Sequence, residues 1–191
     1  MSLDTILTQI WAHLHAATLD GNRPFKTIQV ATIGLNGCPN IRTVLLRHAS
    51  ERDNVIRFHT DIRSPKIAEL ARQSRVALVG VAADLKLQLR IFGEAQILRD
   101  GQTRRDAWNS SPDRSLIAYR TSISPGVPIA QPEDAFGGTH APGADEGLSH
   151  FCVVEVRPHH FDWLDESAAD CPRRARFTRH DSTWESTWIA P

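Results

Sequence analysis

Residues 27–47 read TIQVATIGLNGCPNIRTVLLR, and this stretch contains the strongest fold signal in the chain. Two β-branched runs, 27–34 and 40–47, flank the dipeptide Asn36-Gly37, which favours a tight hairpin turn. The stretch therefore predicts two neighbouring antiparallel strands. After this hairpin, similar patterns predict further strands over 54–60, 75–82, 86–98, 150–157, 160–165, 173–179 and 183–189, with a bulge at Gly93.

Helical patterns are fewer and lie between the strands. Apolar residues at helical spacing predict an N-terminal amphipathic helix over 3–19, capped by Ser2. Ser64-Pro65 is typical of a helix start, and the helix that it opens is predicted to run to about Gln73. Residues 101–109 and 112–120 are also predicted to be helical. About eight strands, mostly antiparallel, favour a mainly β fold: a small closed β-barrel with peripheral helices.

The length and charge of the chain narrow the functional classes. Its 191 residues suit a single domain spanning 1–191. The Gly- and Pro-rich stretch 121–149 shows no periodicity and is predicted to be a long loop. The 22 basic and 22 acidic residues balance, which argues against a general nucleic-acid or membrane-surface binder. Nineteen of the bases are arginines, which suits an anionic ligand but also fits a general compositional bias.

Cysteine and histidine placement predicts no metal site and no disulfide framework. The cysteines Cys38, Cys152 and Cys171 are odd in number and widely spaced, which fits a reducing cytosol. The sequence shows no signal segment at its N-terminus and no apolar run of membrane-spanning length. We therefore expect a soluble cytoplasmic protein.

Several short motifs occur in an order that resembles a known flavoprotein family. The segment 42–47 (RTVLLR) is followed by Phe58-His59-Thr60 and then by Ser64-Pro65-Lys66. This series is similar to the flavin-binding core of the pyridoxamine 5′-phosphate oxidase family. The strand segment 87–93 (LQLRIFG) and the terminal segment 184–191 (WESTWIAP) extend the resemblance, which covers about 25–120 and 150–191.

The resemblance implies an FMN-binding split β-barrel that forms a homodimer with FMN in a cleft between subunits. Arg42, Ser64 and Lys66 would contact the FMN phosphate. Gln88 would reach the flavin ring from the other subunit, and Trp163 and Arg174 would approach the same ring. The remaining cofactor-binding residues that the resemblance implies line the ribityl chain and ring: Thr43, Val44, Leu45, His59 and Thr60.

General chemistry agrees with part of this assignment, although each residue also has an ordinary structural interpretation. A phosphate carries about two negative charges and favours charge-assisted hydrogen bonds, such as those at a helix N-terminus. Arg42 could equally be a solvent-facing charge on an edge strand, and Ser64 a simple helix cap. Gln88 could lie on a solvent-exposed face of the barrel, and the Trp163 side chain could simply pack in the core.

The match to the family breaks down on the substrate side. Arg47 stands where the family has a lysine that holds the substrate phosphate. Ala107 and Ser111 stand where the family has a tyrosine and an arginine, whereas Ser115 is kept. We therefore predict an FMN-dependent oxidoreductase with a diverged site for a small-molecule substrate. Its anion contacts are predicted at Arg47, Ser115 and Arg120, and no catalytic acid or base is assigned.

Three alternatives remain open at this point. The chain could be a true pyridoxamine or pyridoxine 5′-phosphate oxidase. It could be a non-catalytic barrel that carries flavin, deazaflavin or haem, with His59 or His150 as a haem ligand. It could also be a structural barrel with an empty cleft. The spectrum of the purified protein separates flavin, deazaflavin and haem from one another, and a barrel with an empty cleft predicts a colourless protein that does not bind added FMN.

Overall fold

The computed structural model describes residues 1–19, 21, 23–136 and 145–191. Within these residues the chain forms eight strands and four α-helices. In chain order they are α1 (Leu3–Ala17), β1 (Thr27–Ile33), β2 (Pro39–Ser50), β3 (Val55–Asp61), α2 (Pro65–Arg72), β4 (Arg75–Ala82), β5 (Leu87–Leu98), α3 (Gly101–Asn109), α4 (Asp113–Leu116), β6 (Phe151–Asp165), β7 (Arg173–His180) and β8 (Thr183–Ile189).

The strands form one antiparallel sheet that closes on itself. Their order is β3-β2-β1-β4-β5-β6-β7-β8, and β3 also pairs with β6. This second pairing closes a six-stranded barrel from β1 to β6, and β7 and β8 extend the sheet beyond it. Alternate side chains point inward and are buried, among them Ile28, Leu46, Phe58 and Leu89. The mainly β barrel predicted from the sequence is confirmed.

Helix α1 packs on the barrel through one apolar face. Ile6, Ile10 and Leu14 are buried in the core, and the Ser2 hydroxyl accepts a hydrogen bond from the Thr5 amide. The helix ends at Ala17, two residues earlier than predicted. The amides of Thr18 and Leu19 donate to carbonyls only three residues back, so the last turn tightens and the α-helix stops.

The C-terminal half of the sheet corrects one prediction. The sequence predicts separate strands over 150–157 and 160–165, but β6 runs unbroken through Pro158. Phe92 of β5 pairs with His160 and Gly93 pairs with Pro158, so His159 is the extra residue of a bulge in β6. The bulge lies next to Pro158, which has no amide proton to donate. A Cβ on Gly93 would lie 2.5 Å from the Arg157 carbonyl oxygen, so glycine permits this close strand approach.

The segment after α3 is less helical than expected. Of the predicted helix 112–120, only one α-turn forms as α4, followed by a 3₁₀ turn at Ile117–Tyr119. Leu116 is the one buried residue between Asp113 and Tyr119, so little apolar surface holds a longer helix against the barrel. In the predicted loop 121–149, 3₁₀ turns form at Pro132–Ala135 and Leu148–His150, whereas 137–144 lie outside the described residues.

None of the described helices is both long enough and apolar enough to span a membrane.

Candidate cofactor site

A cavity of about 530 Å³ lies beside β2 and β3, and we call it the main cavity. Its volume falls in the range of small-molecule sites. It brings together eight residues that the sequence singled out, from four separate parts of the chain. These are Thr43, Val44, Leu45, Arg47, His59, Thr60, Lys66 and Ser115, joined by Arg114 and Tyr119, which the sequence did not single out.

The pairing of β2 with β3 directs Arg47 to this cavity. Leu46 pairs with Phe58 and His48 pairs with Arg57, so Arg47 is the extra residue of an irregularity in the ladder. Such bulges re-aim a side chain relative to regular pleating. The Arg47 guanidinium lies within 3.4 Å of the Ser115 hydroxyl, which connects β2 to the α4 segment.

One group of residues at the main cavity suits an anion. The Lys66 ammonium, at the second position of α2, donates to the hydroxyls of Thr60 at 3.0 Å and Ser64 at 2.6 Å. The Ser64 side chain makes no capping bond; the proline that follows it has no amide hydrogen and the Ile67 amide donates to the Ser64 carbonyl at 2.9 Å, so the Lys66 amide remains at the start of α2. Burial and the nearby Arg42 charge lower the pKa of Lys66. A cation, two hydroxyls and a helix N-terminus therefore meet at one point.

Arg42, predicted to contact phosphate, is not among the residues that line the main cavity. Its guanidinium donates to the Glu69 carboxylate at 2.8 Å and also to the Thr32 hydroxyl. Glu69 also accepts from Thr32 at 2.5 Å and Asn40 at 2.6 Å. Burial alone would raise the pKa of Glu69, but these hydrogen bonds and the Arg42 charge outweigh it and hold that pKa below its ordinary value. Arg42 and Glu69 together fasten α2 to β1 and β2.

The main cavity is lined by two further cations. Arg47 and Arg114 line it together with Ser115 and Tyr119. Arg120, the third predicted substrate contact, does not line it. The Arg120 guanidinium donates to the Glu146 carbonyl at 3.3 Å and lies 3.7 Å from the Asp113 carboxylate.

Two titratable rings that line the main cavity, those of His59 and Tyr119, are neutral at physiological pH. The His59 ring packs edge-on against Phe151 with centroids 4.9 Å apart. Burial, and then the charge of Arg47, lower the pKa of His59 to about 4. Burial raises the pKa of Tyr119, so its phenol keeps its proton. Among the described lining residues, Arg47, Lys66 and Arg114 are cations and none is acidic, so the cavity favours anions.

Three predicted flavin contacts lie elsewhere within the same chain. Gln88 lines a separate hollow on the outer barrel surface with Val81 and Lys86. Trp163 is buried in the core. The Arg174 guanidinium donates to the two oxygens of the Asp162 carboxylate at 2.9 and 2.8 Å. A single copy of the chain therefore does not bring these residues to the main cavity.

The sequence contains a weak signal for the two residues that were missed. Arg114 directly precedes Ser115, a predicted substrate contact. Tyr119 is the only tyrosine in the chain and lies four residues further on. Neither belongs to a flavin-binding motif, so only the folded arrangement of the α4 segment brings them to the main cavity.

Comparisons with known proteins agree with the FMN-binding family that the sequence motifs resemble. Residues 8–99 match the family model described as pyridoxamine 5′-phosphate oxidase, FMN-binding domain. A pyridoxine/pyridoxamine 5′-phosphate oxidase 2 from Arabidopsis thaliana is 30% identical over 165 residues, covering 81% of this chain and 82% of that protein. A pyridoxine/pyridoxamine 5′-phosphate oxidase from Agrobacterium fabrum is 27% identical and covers 87% and 82%.

Two solved structures share the fold. A pyridoxamine 5′-phosphate oxidase-related, FMN binding protein from Nostoc punctiforme aligns with a TM-score of 0.79 at 23% identity, covering 100% of this chain and 99% of that one. PhzG from Burkholderia lata, solved in complex with tetrahydrophenazine-1-carboxylic acid, aligns with a TM-score of 0.74 at 20% identity over 98% and 92%. At these identities the likeness establishes a common split-barrel architecture.

Proposed function

This chain belongs to the pyridoxamine 5′-phosphate oxidase FMN-binding family, and we propose that it is an FMN-dependent oxidoreductase acting on a small anionic substrate. One observation carries the proposal. The main cavity brings together Lys66, which donates to Thr60, and a second group made of Arg47, Arg114 and Ser115. Two groups of cationic and hydroxyl side chains suit a phosphorylated cofactor and a charged substrate in one cavity.

The residues around Lys66 fit the FMN phosphate. Lys66 and the Thr60 and Ser64 hydroxyls supply charge-assisted and neutral hydrogen bonds, and the Lys66 amide at the start of α2 adds to them. Val44 and Leu45 supply an apolar wall for the rest of the cofactor. When bound, FMN supplies two-electron oxidation and reduction to the site.

The residues around Arg47 orient the substrate. Arg47 and Arg114 attract an anionic group, and the Ser115 hydroxyl adds a hydrogen bond of fixed direction. His59 and Tyr119 are neutral walls, so they exclude water without competing for the anion. In this proposal the protein binds and orients, and no side chain serves as a catalytic acid or base.

A homodimer is the second part of the proposal. The outer barrel face carries large apolar side chains that are unusually exposed, with Ile41 at 67%, Val81 at 58% and Ile33 at 47%. Large exposed apolar patches mark interaction sites, and these side chains are candidates for one. Gln88 lies beside Val81 on this face, so a second copy docked there would bring Gln88 toward its partner's cavity.

The test is an absorbance spectrum of the purified protein before and after FMN is added. We expect an oxidised-flavin spectrum at one FMN per chain. Pyridoxamine 5′-phosphate is the first substrate to add, without oxygen, because the relatives carry that name. With Ala107 and Ser111 in place of the family's tyrosine and arginine, we expect it to leave the flavin absorbance unchanged. Rapid bleaching would identify a true oxidase of that compound, and a protein that takes up no FMN would refute the proposal.

A further inference from the structure

Two short stretches, 119–121 and 146–148, lie against each other beside the main cavity, and we call them the neck. The Arg120 guanidinium joins the two stretches by donating to the Glu146 carbonyl at 3.3 Å. Tyr119 belongs to the neck and also lines the main cavity. The neck therefore sets the position of one part of the cavity wall.

Close backbone contacts hold the neck together. Gly147 has a φ of +90°, and a Cβ there would lie 2.8 Å from the Tyr119 carbonyl oxygen, so glycine permits the close approach. The His150 ring donates through Nδ1 to the same carbonyl at 2.8 Å. The His150 carbonyl in turn accepts from the Ile62 amide at 2.6 Å, which ties the neck to the chain between β3 and α2.

Arg63 makes the side-chain connection between the neck and the barrel. Its guanidinium donates to the two oxygens of the Asp61 carboxylate at 3.0 and 2.7 Å, and to the Thr121 carbonyl at 3.0 Å. It also donates to the Thr121 hydroxyl at 3.2 Å. The Asp61 side chain is 6% exposed and the Arg63 side chain 18%, so these bonds are largely removed from water. A planar fork of donors suits the binding of several acceptors at once.

The corner that carries Arg63 also carries the residues proposed to bind the FMN phosphate. Asp61 is the last residue of β3 and directly follows Thr60. Arg63 directly precedes Ser64, and α2 begins one residue later. The side chain that holds the neck is therefore anchored within the same turn as the phosphate group of residues.

We propose that Arg63 is a positioning residue for the main cavity. By holding Asp61 and Thr121 together it fixes the neck, and the neck keeps Tyr119 in the wall opposite the bound ligand. Arg63 is not among the residues that line the main cavity, so it acts through the neck. The inference rests on the proposed function in taking FMN as that ligand, whereas the ordering of the wall is a property of the protein alone.

The test uses Tyr119 as a reporter, because it is the single tyrosine of the chain. Fluorotyrosine incorporated there gives a fluorine NMR signal from the cavity wall of the ligand-free protein. Arg63→Lys keeps a positive charge beside Asp61 but lacks the fork that also reaches Thr121. We expect this variant to move the resonance toward its position in the urea-unfolded protein. Tryptic cleavage after Arg120, whose side chain is 13% exposed, should be about tenfold faster because the neck opens locally.

Gly93→Ala is the control for a general loss of stability. It overpacks a strand contact at a position that does not line the main cavity, so it weakens the barrel without touching the neck. We expect it to leave the fluorine resonance and the tryptic cleavage unchanged while the protein is folded. If Arg63→Lys does not fold, Thr121→Val removes the hydroxyl contact and keeps the buried pair of Arg63 and Asp61. It should move both readouts in the same direction.

FMN affinity is measured separately, by a titration followed through flavin absorbance. We expect Arg63→Lys to bind FMN about tenfold more weakly, since a site that is in place a tenth of the time loses apparent affinity by that fraction. An unmoved resonance, an equal change in Gly93→Ala, or an unchanged FMN affinity would overturn the proposal. If the unsubstituted protein takes up no FMN, the proposed function fails, and the fluorine and trypsin results alone decide the role of Arg63.

Discussion

The pair formed by Arg42 and Glu69 shows how a single side chain can support a site that it does not line. The Glu69 side chain is 4% exposed and the Arg42 side chain 22%. Removing one partner of a buried ion pair leaves an uncompensated charge, which typically costs several kcal/mol. The guanidinium thus maintains the position of α2, and α2 in turn presents Lys66 and Ser64.

Arg42→Met is therefore expected to lower the free energy of unfolding by about 3 kcal/mol, because Glu69 stays buried without its cation. Urea denaturation measures the effect. Arg52→Met is the control, since the Arg52 side chain is 93% exposed and its removal should change stability by less than about 0.5 kcal/mol. Equal losses in the two variants would mean that the Glu69 interaction has no special role.

His59 predicts a specific acid sensitivity. Its pKa is about 4 in the folded protein, against an ordinary value of 6.5 for a histidine in an unfolded chain. Between these values the unfolded chain binds the proton and the folded protein does not, so stability falls as the pH falls through this window. At pH 4.5 the loss attributable to His59 is about 2 kcal/mol relative to pH 7.

His59→Gln should remove that part of the acid sensitivity. Comparing urea unfolding at pH 7 and pH 4.5, we expect the variant to lose about 2 kcal/mol less than the unsubstituted protein. The exposed His159 provides a control through His159→Gln, which should keep the full loss. A pH dependence unchanged by His59→Gln would show that this imidazole is not protected from protonation.

At the scale of elements, the bulge between β5 and β6 depends on two residues far apart in the chain, Gly93 and Pro158. A Cβ at position 93 would lie 2.5 Å from a backbone oxygen and 2.9 Å from the Val156 side chain. Gly93→Ala should therefore cost about 1–3 kcal/mol of unfolding free energy, as overpacking does. Thermal or urea denaturation tests this. An unchanged unfolding free energy would mean that the close approach of β5 and β6 at Gly93 does not require glycine.

Helices and strands could be predicted from the sequence where their own residues determine them, and not where distant residues do. Alternating apolar residues located the strands of the barrel, because each strand buries one face. The continuity of β6 was not predictable from Pro158 alone, since the compensation comes from Gly93, more than sixty residues away in the chain. The predicted helix over 112–120 formed only in part because a single residue of the segment, Leu116, is buried against the rest of the protein.

The candidate site divides in the same way. The residues on β2, β3 and α2 could be identified because they form contiguous motifs. Arg114 and Tyr119 could not, since they reach the main cavity only through the fold of the segment after α3. Arg42 matched its motif, but in the structure its guanidinium donates to the carboxylate of Glu69, twenty-seven residues further on.

At the scale of the whole molecule, the exposed apolar face predicts self-association. Ile41→Glu places a charge on that face, and we expect it to convert a dimer to a monomer in sedimentation experiments. FMN affinity should fall with it, because the partner's Gln88 would no longer be present. Asp84→Glu, a change at another exposed position, is the control. A monomeric unsubstituted protein that binds FMN fully would contradict this prediction.

Binding of FMN in the main cavity, with its phosphate at Lys66, is the proposal on which the others depend. A parallel titration with FMN and with riboflavin, which lacks the phosphate, tests it in the unsubstituted protein and in Lys66→Gln. We predict that FMN binds at least about tenfold more tightly than riboflavin and that Lys66→Gln removes most of this difference, since charge-assisted hydrogen bonds contribute about 1.5–3 kcal/mol. Equal affinity for the two flavins, or an unchanged preference in Lys66→Gln, would contradict it.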